Sequence, residues 1–398
     1  MSRIRYARFA IVAAAWACAS EAWAIDIRFF PSGALHTYEA DNAHGASTLV
    51  VHDIAIVNDG PTPITLTQVE IQLRDHGLVR DTRMLTAEDL TRAAASLSQL
   101  QQSPMWPRLG FIYGGEALLA GAHLASSTRL APGEALIVTA QIFAFRGARD
   151  ELAVHASSSG GEGEGHVAIS SALSRTAFAF PLRGNWYDGA APSLHSHHRW
   201  APMEQFAHDF VRIGPNLNTY RRNGARFADY YAYGEPVLAA ASGVVVAAIN
   251  DQREDEGAMK HPNETQEAYF TRLRADQAVR LSHGAPGIIG NHVIIDHGDG
   301  EFSVYAHLKP GSVRVRVGER VAQGSQIGQV GSSGNSTEPH LHFQVCNSAD
   351  ALMCAGIPIQ WVGLSSVGAD LDRAPQTGDF LSGINPPPRS AAPSSPTP

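Results

Sequence analysis

Short runs of β-branched and aromatic residues, broken at close intervals by Gly, Pro, Asn and Asp, dominate the hydrophobic pattern of the first half of the chain. Residues 47–57 (STLVVHDIAIV), 64–73 (ITLTQVEIQL) and 135–144 (ALIVTAQIFA) read as strands. Turn signals such as Asn58-Asp59-Gly60-Pro61 and Ala131-Pro132-Gly133 separate them. One segment carries the helical period instead. Residues 86–101 (TAEDLTRAAASLSQLQ) open on Thr86 with Asp89 three positions later, close to a capping box, and predict a helix. Residues 157–165 (SSSGGEGEG) read as a flexible hairpin tip or loop. Residues 25–181 therefore predict a β-sandwich-like module with one helix, suited to binding or scaffolding, because nothing in it assembles a catalytic set.

Gly, Pro and Asp cluster at 181–192 (PLRGNWYDGAAP), as a domain boundary would. Strand signals return at 236–249, 291–296, 302–308, 313–317, 326–330 and 340–345, with His297-Gly298-Asp299-Gly300 as a hairpin turn. Residues 251–286 form a polar insert with a predicted helix over 264–281, projecting beside the strands. The expected fold class is mostly β, the second domain being a compact antiparallel sheet over 182–380. The Pro/Ser-rich residues 381–398 should be disordered.

Composition narrows the class. The 398 residues are 44% hydrophobic and 17% charged, against roughly 25% charged in an average soluble domain, which excludes a disordered or fibrous chain. A net charge of −8 offers no basic stripe for nucleic-acid phosphates. Arg3, Arg5 and Arg8 precede the apolar run Phe9–Ala19 and the small-x-small triplet Ala22-Trp23-Ala24, so residues 1–24 read as a secretory signal peptide. The apolar run is shorter than the about 20 residues that span a bilayer. An exported protein, periplasmic or extracellular and without stable membrane insertion, is expected. Beyond the leader only Cys346 and Cys354 remain, and in an oxidising compartment they should pair.

Histidine is the unusual component: there are 18, clustered at His195, His197 and His198 and again at His340 and His342. On a strand, His340 and His342 flank Leu341 and aim at one site, as a metal or catalytic pair would. The same alternation sets Asp209 with Ala207 and Val211, and leaves His208 to pack with Phe206 and Phe210. It also sets His307 with Ser303 and Tyr305 on a polar, cleft-facing side. His292 and His297 should serve packing or turns, and His261 and His283 should be solvated. Gly331–Gly334 (GSSG) lacks the Gly-Lys-Ser/Thr ending of a phosphate loop and is expected to let backbone approach a peptide.

Five segments, QFAHDFV (205–211), YGEPVLAAASGVVV (233–246), GNHVIIDHGDGEFSVYAHL (290–308), VGERVAQGSQIGQVG (317–331) and GNSTEPHLHF (334–343), together resemble the lysostaphin-like, LytM-type zinc metallopeptidases. The resemblance runs from about His195 to Pro358. It implies Zn²⁺ held by His198, Asp209 and His342, with His307 and His340 as the catalytic pair beside it. The commonest pattern places the first ligand four residues before the Asp, where this chain has Gln205. His195, His197 and His198 are the upstream candidates. The His-Arg pair of the branch resembled favours His198, which precedes Arg199, and leaves His197 as the alternative. Glu338 stands where the family usually has Gly.

Two imidazoles and a carboxylate would leave a fourth position for water, the pattern of a catalytic zinc site. No His-Glu-x-x-His helix supplies a glutamate base, so His307 and His340 are the remaining acid–base candidates. The function expected is an exported zinc metalloendopeptidase hydrolysing peptide bonds in peptidoglycan stem or cross-link peptides. The rival is a catalytically degenerate protein of the same fold that binds peptidoglycan or activates an amidase.

Overall fold

The computed structural model describes residues 25–383 apart from 42–44, 104, 105, 107–109, 262, 367, 368 and 372. The expected leader, 1–24, and residues 384–398 of the expected tail lie outside the described residues. The architecture is mostly β with antiparallel sheets. No helix among the described residues is long and apolar enough to cross a membrane.

The first half folds as two facing sheets. One has the strand order Ile25–Phe30, Ala46–Asn58, Glu134–Arg146, His123–Leu124, with Tyr38–Asp41 also paired to Ala46–Asn58. The other runs Leu35–His36, Gly161–Ser170, Glu151–Ser158, Ile64–Asp75, Leu78–Thr86. Alternate side chains from both fill the space between: Ile54, Ile56 and Leu136 meet Val69, Ile71, Leu73 and Val154. On Ile64–Asp75 the buried phase shifts from Ile64 and Leu66 to Val69 and Ile71. The partner strand shifts register there, between Ser157 and Ser158. The helix forms as expected, over Ala87–Gln102, with Thr86 and Asp89 exchanging the two bonds of a capping box. Its buried Leu90, Ala94, Leu97 and Ser98 make one stripe.

Several expectations differ: 236–249 is two strands, Pro236–Leu238 and Gly243–Ile249, in different sheets, and 381–383 of the expected tail belong to the strand Phe380–Gly383. Residues 157–165 are a hairpin tip, the first of the two expected readings, but a short one: only Ser159 and Gly160 turn, and both arms are strand. Their glycines serve close approach. A Cβ on Gly163 would lie 2.6 Å from Ile25 Cβ, and one on Gly165 2.7 Å from Ile27 Cβ, so bare backbone lets the Ile25–Phe30 strand cross the sheet. Residues 313–317 are not a strand, although Arg314 N donates to the Ile327 carbonyl and Val313 and Val315 still pack on the second core.

The second half is built on a ten-stranded sheet, antiparallel at every pairing. Its central order is Gly243–Ile249, Asn291–Asp296, Phe302–Leu308, Leu341–Cys346, His208–Val211, Trp186–Ala190. Leu341, Phe343 and Val345 face a core with Val293, Ile295, Tyr305 and Phe210. The alternation that buries them turns His340, His342 and Gln344 to the opposite face. Phe178 and Phe180 belong to this core, and Ala177–Ala179 pairs with Gln360–Val362. Cys346 and Cys354 form the expected disulfide.

Because Gly163 is held against Ile25, Gly163→Val should destabilise the protein by about 1–3 kcal/mol through overpacking. A urea melt reads this as a lower midpoint. An unchanged midpoint would mean that the crossing is looser than described.

Candidate metal centre

Strand pairing brings the site together. Asp209 lies directly across from His342, and Ala306 pairs with His342 on the other side. The Asp209 carboxylate sits 3.1 Å from His342 Nδ1, 3.3 Å from His198 Nε2 and 3.4 Å from His340 Nε2. The rings of His198 and His342 stand perpendicular, 5.0 Å apart. The His307 ring is 4.8 Å from His340 and 5.8 Å from His342. All five residues singled out from the sequence therefore meet in one place.

Each imidazole is oriented by a bond on its far side. His198 Nδ1 donates to the Ala190 carbonyl (3.2 Å), His340 Nδ1 to that of Glu338 (2.7 Å), and His307 Nδ1 to that of Ser333 (2.8 Å). His342 Nε2 donates to Gln344 Oε1 (2.7 Å), and the Gln344 amide donates in turn to Cys346 Sγ. A carbonyl only accepts, so in the neutral rings the lone pairs of His198 Nε2, His340 Nε2 and His342 Nδ1 all point at the carboxylate. Lone pairs facing an anion need a proton or a cation between them. This donor set, with its second shell in place, fits a divalent metal ion. Among the described residues, the ligand atoms here that all lie within 4.8 Å of one another are those of exposed His197, His198 and Asp209; His342 reaches the Asp209 carboxylate but is not in that group. His195 is exposed and stands outside this group.

The electrostatics follow. Burial pushes the His198 pKa down, but the Asp209 charge and hydrogen bond outweigh it and raise the value to about 9. Burial works against the Asp209 charge as well, yet His198 and His340 hold its carboxyl well below the usual range. His340 is raised by Asp209 against its own burial. His307 goes the other way: burial, with His340 and His342 beside it, holds it well below the ordinary value and therefore neutral.

The His307 placement corrects a sequence expectation. Alternation predicts it on the face of Ser303 and Tyr305, but Tyr305 packs in the main core and His307 lies opposite, among the site residues. The cause is a bulge: Asn291 faces Leu308 whereas Val293 faces Tyr305, so this strand carries one extra residue. His307 takes a left-handed conformation there, φ 60°, a strained arrangement that typically costs about 1–3 kcal/mol. Gly331 and Gly334 are also reassigned, because a Cβ on either would strike backbone (Lys309 N or Gly290 N, both 2.4 Å). They permit chain packing instead of peptide approach.

His198 rides on a short turn, His197–Trp200, whose next residue is the fully buried Arg199. Arg199 donates to Gln205 Oε1 (3.2 Å) and, 151 positions away, to the Thr48 carbonyl (3.4 Å). Its guanidinium lies over the rings of Phe206 and Tyr38. Gln205, four residues before Asp209, thus braces the connection that carries His198. His208 packs as expected, stacked on Phe210 and bonded to buried Asp188.

The site opens on a cleft of about 430 Å³ whose other wall is the insert: Phe270, Leu273, Gln277 and Leu281 of the Gln266–Leu281 helix. Ile112 of the first half also reaches it. Sequence reasoning missed these residues and Gln344. Only Gln344 carried a signal, two positions after His342 and so on the same face. A larger cavity, about 670 Å³, lies between the halves and contains none of the five site residues.

Residues 274–353, which include His307, His340 and His342, match the model of Peptidase family M23. His198 and Asp209 precede the matched segment. The chain is 38% identical over 83 residues to the cell division protein DipM of Caulobacter vibrioides, covering 18% of this chain and 13% of that protein. It is 28% identical over 177 residues to the peptidoglycan DD-endopeptidase ShyC of Vibrio cholerae, covering 42% of this chain and 31% of that protein. This chain thus spans less than a third of the length of either relative. The catalytic domain of the antimicrobial peptidase lysostaphin from Staphylococcus simulans is 22% identical, with 44% of this chain and 88% of that one covered, at a TM-score of 0.24. The chain thus contains a segment that matches Peptidase family M23, in line with the resemblance read from its motifs.

Proposed function

We propose that the protein is an exported zinc metalloendopeptidase that hydrolyses peptide bonds in peptidoglycan stem or cross-link peptides. In this reading a module over 25–181 precedes the peptidase domain over 182–380. His198, Asp209 and His342 hold the zinc, and His307 and His340 act on the substrate. The observation that carries it is the convergence of three imidazole nitrogens on the Asp209 carboxylate. The degenerate rival is disfavoured by the completeness of that set.

Zn²⁺ in such a site supplies Lewis acidity toward a peptide carbonyl and toward water. The chain's own residues handle protons. His307, neutral and with Nδ1–H committed to the Ser333 carbonyl, offers Nε2 as the proton acceptor. His340, whose proton Asp209 stabilises, donates from Nε2 to a developing oxyanion or to the leaving amine. His198, fixed through Ala190 and Arg199, keeps its geometry without reorganising.

Purified protein should hold about one zinc per chain by elemental analysis, with His342→Ala losing it. Chelator-sensitive fragments from purified peptidoglycan, identified by mass, test the activity; fragments formed equally with chelator would refute it. His307→Ala should retain zinc and lose roughly 10²–10⁴-fold in turnover; loss of metal in this variant would assign His307 a structural part instead. Without metal, the His198 contribution to stability is complete below its unfolded value of about 6.5 and is lost as pH rises through about 9. The melting temperature of metal-stripped protein should therefore fall between those pH values, and Asp209→Asn should flatten the decline.

A further inference from the structure

Past the metal cleft the surface opens into a second chamber of about 600 Å³, which shares Phe270 and Thr337 with the cleft. The two form one trough running over the turn that leads into His340. Tyr220, Tyr230 and Tyr269 wall the chamber, the first two rings 5.5 Å apart, and Glu338 lines it as well.

Its polar groups are incompletely used. The hydroxyls of the three tyrosines have no hydrogen-bond partner among the described residues. Glu338 Oε2 accepts from Thr219 Oγ1 at 2.7 Å, and Oε1 has no partner among the described residues. Glu338 lies at a junction, because its main-chain carbonyl also holds His340 Nδ1. Of the charged groups around it, only His340 acts on it, from the metal-cleft side and without an ion-pair contact. Glu264 is committed to Arg272, and Lys260 and His261 are exposed at the rim, with no ion pair to Glu338.

A largely buried carboxylate among tyrosine rings and free phenol oxygens is complementary to an ammonium group. Such a group has three donors for those oxygens, and ring faces attract its charge. We propose that this chamber is a specificity subsite for a primary amine on the peptide substrate, such as the free side-chain amine of a diamino acid near the scissile bond, with Glu338 as its anchor. This rests on the peptidase reading above.

The test is calorimetric, on the full-length, zinc-loaded His307→Ala background so that no turnover intervenes. Two synthetic stem-type tetrapeptides are compared, identical except that the single side-chain amine is free in one and acetylated in the other. The free amine should bind at least about tenfold tighter, as expected for a charged hydrogen bond. Adding Glu338→Gln should bring the two affinities together while zinc content is unchanged, and Tyr230→Phe should narrow the gap. Equal affinities, no measurable binding of either peptide, or a preference that survives Glu338→Gln would overturn the proposal. So would tighter binding of a peptide-free glycan fragment than of either peptide. A free-amine preference in a protein that yields no chelator-sensitive products would sink the peptidase reading and leave the amine site standing.

Discussion

Everything on the polar face of the second sheet answers to one constraint: a buried carboxylate, Asp209, with three imidazole nitrogens within 3.4 Å. An anion in that position is tolerated only if positive charge is delivered to it. The fold sets imidazoles round it from three directions, by cross-strand pairing for His342, by the approach to the same strand for His340, and by a separate turn for His198. The carbonyls of Ala190, Ser333 and Glu338 and the Gln344 amide then decide which nitrogen of each ring is available. His307 is the member kept apart, lowered by burial where Asp209 raises His340, and that difference separates proton acceptor from donor in the proposed reaction.

Much of this was legible from residues alone, because alternation and capping are local. His340 and His342 share a face since Leu341 must be buried, and Thr86 with Asp89 announces the helix that follows. What escaped was non-local. Whether a glycine run bends or lets another strand through depends on the crossing strand, and Ile25 and Ile27 lie far from Gly163 and Gly165 in sequence. A single extra residue opposite His292 reverses the face of His307 without altering composition or periodicity. The cleft wall contributed by Phe270 and Leu273 depends on where an amphipathic segment docks, which its own pattern does not encode.

The position of Gln205 shows how a departure from a familiar pattern can be structural and not degenerate. With no imidazole four residues before Asp209, the candidate first ligand comes from farther upstream, and the longer connection needs bracing. Gln205 itself supplies part of it by accepting from Arg199. The remainder comes from Thr48, Tyr38 and Phe206.

The Arg199 bond to the Thr48 carbonyl joins segments 151 positions apart. Contacts of such separation carry a large loop-closure cost. The seat of His198 therefore depends on the first half as well as on its own turn. The integrity of the first half thus bears on whatever chemistry the second half performs, through the one turn that presents His198 to Asp209.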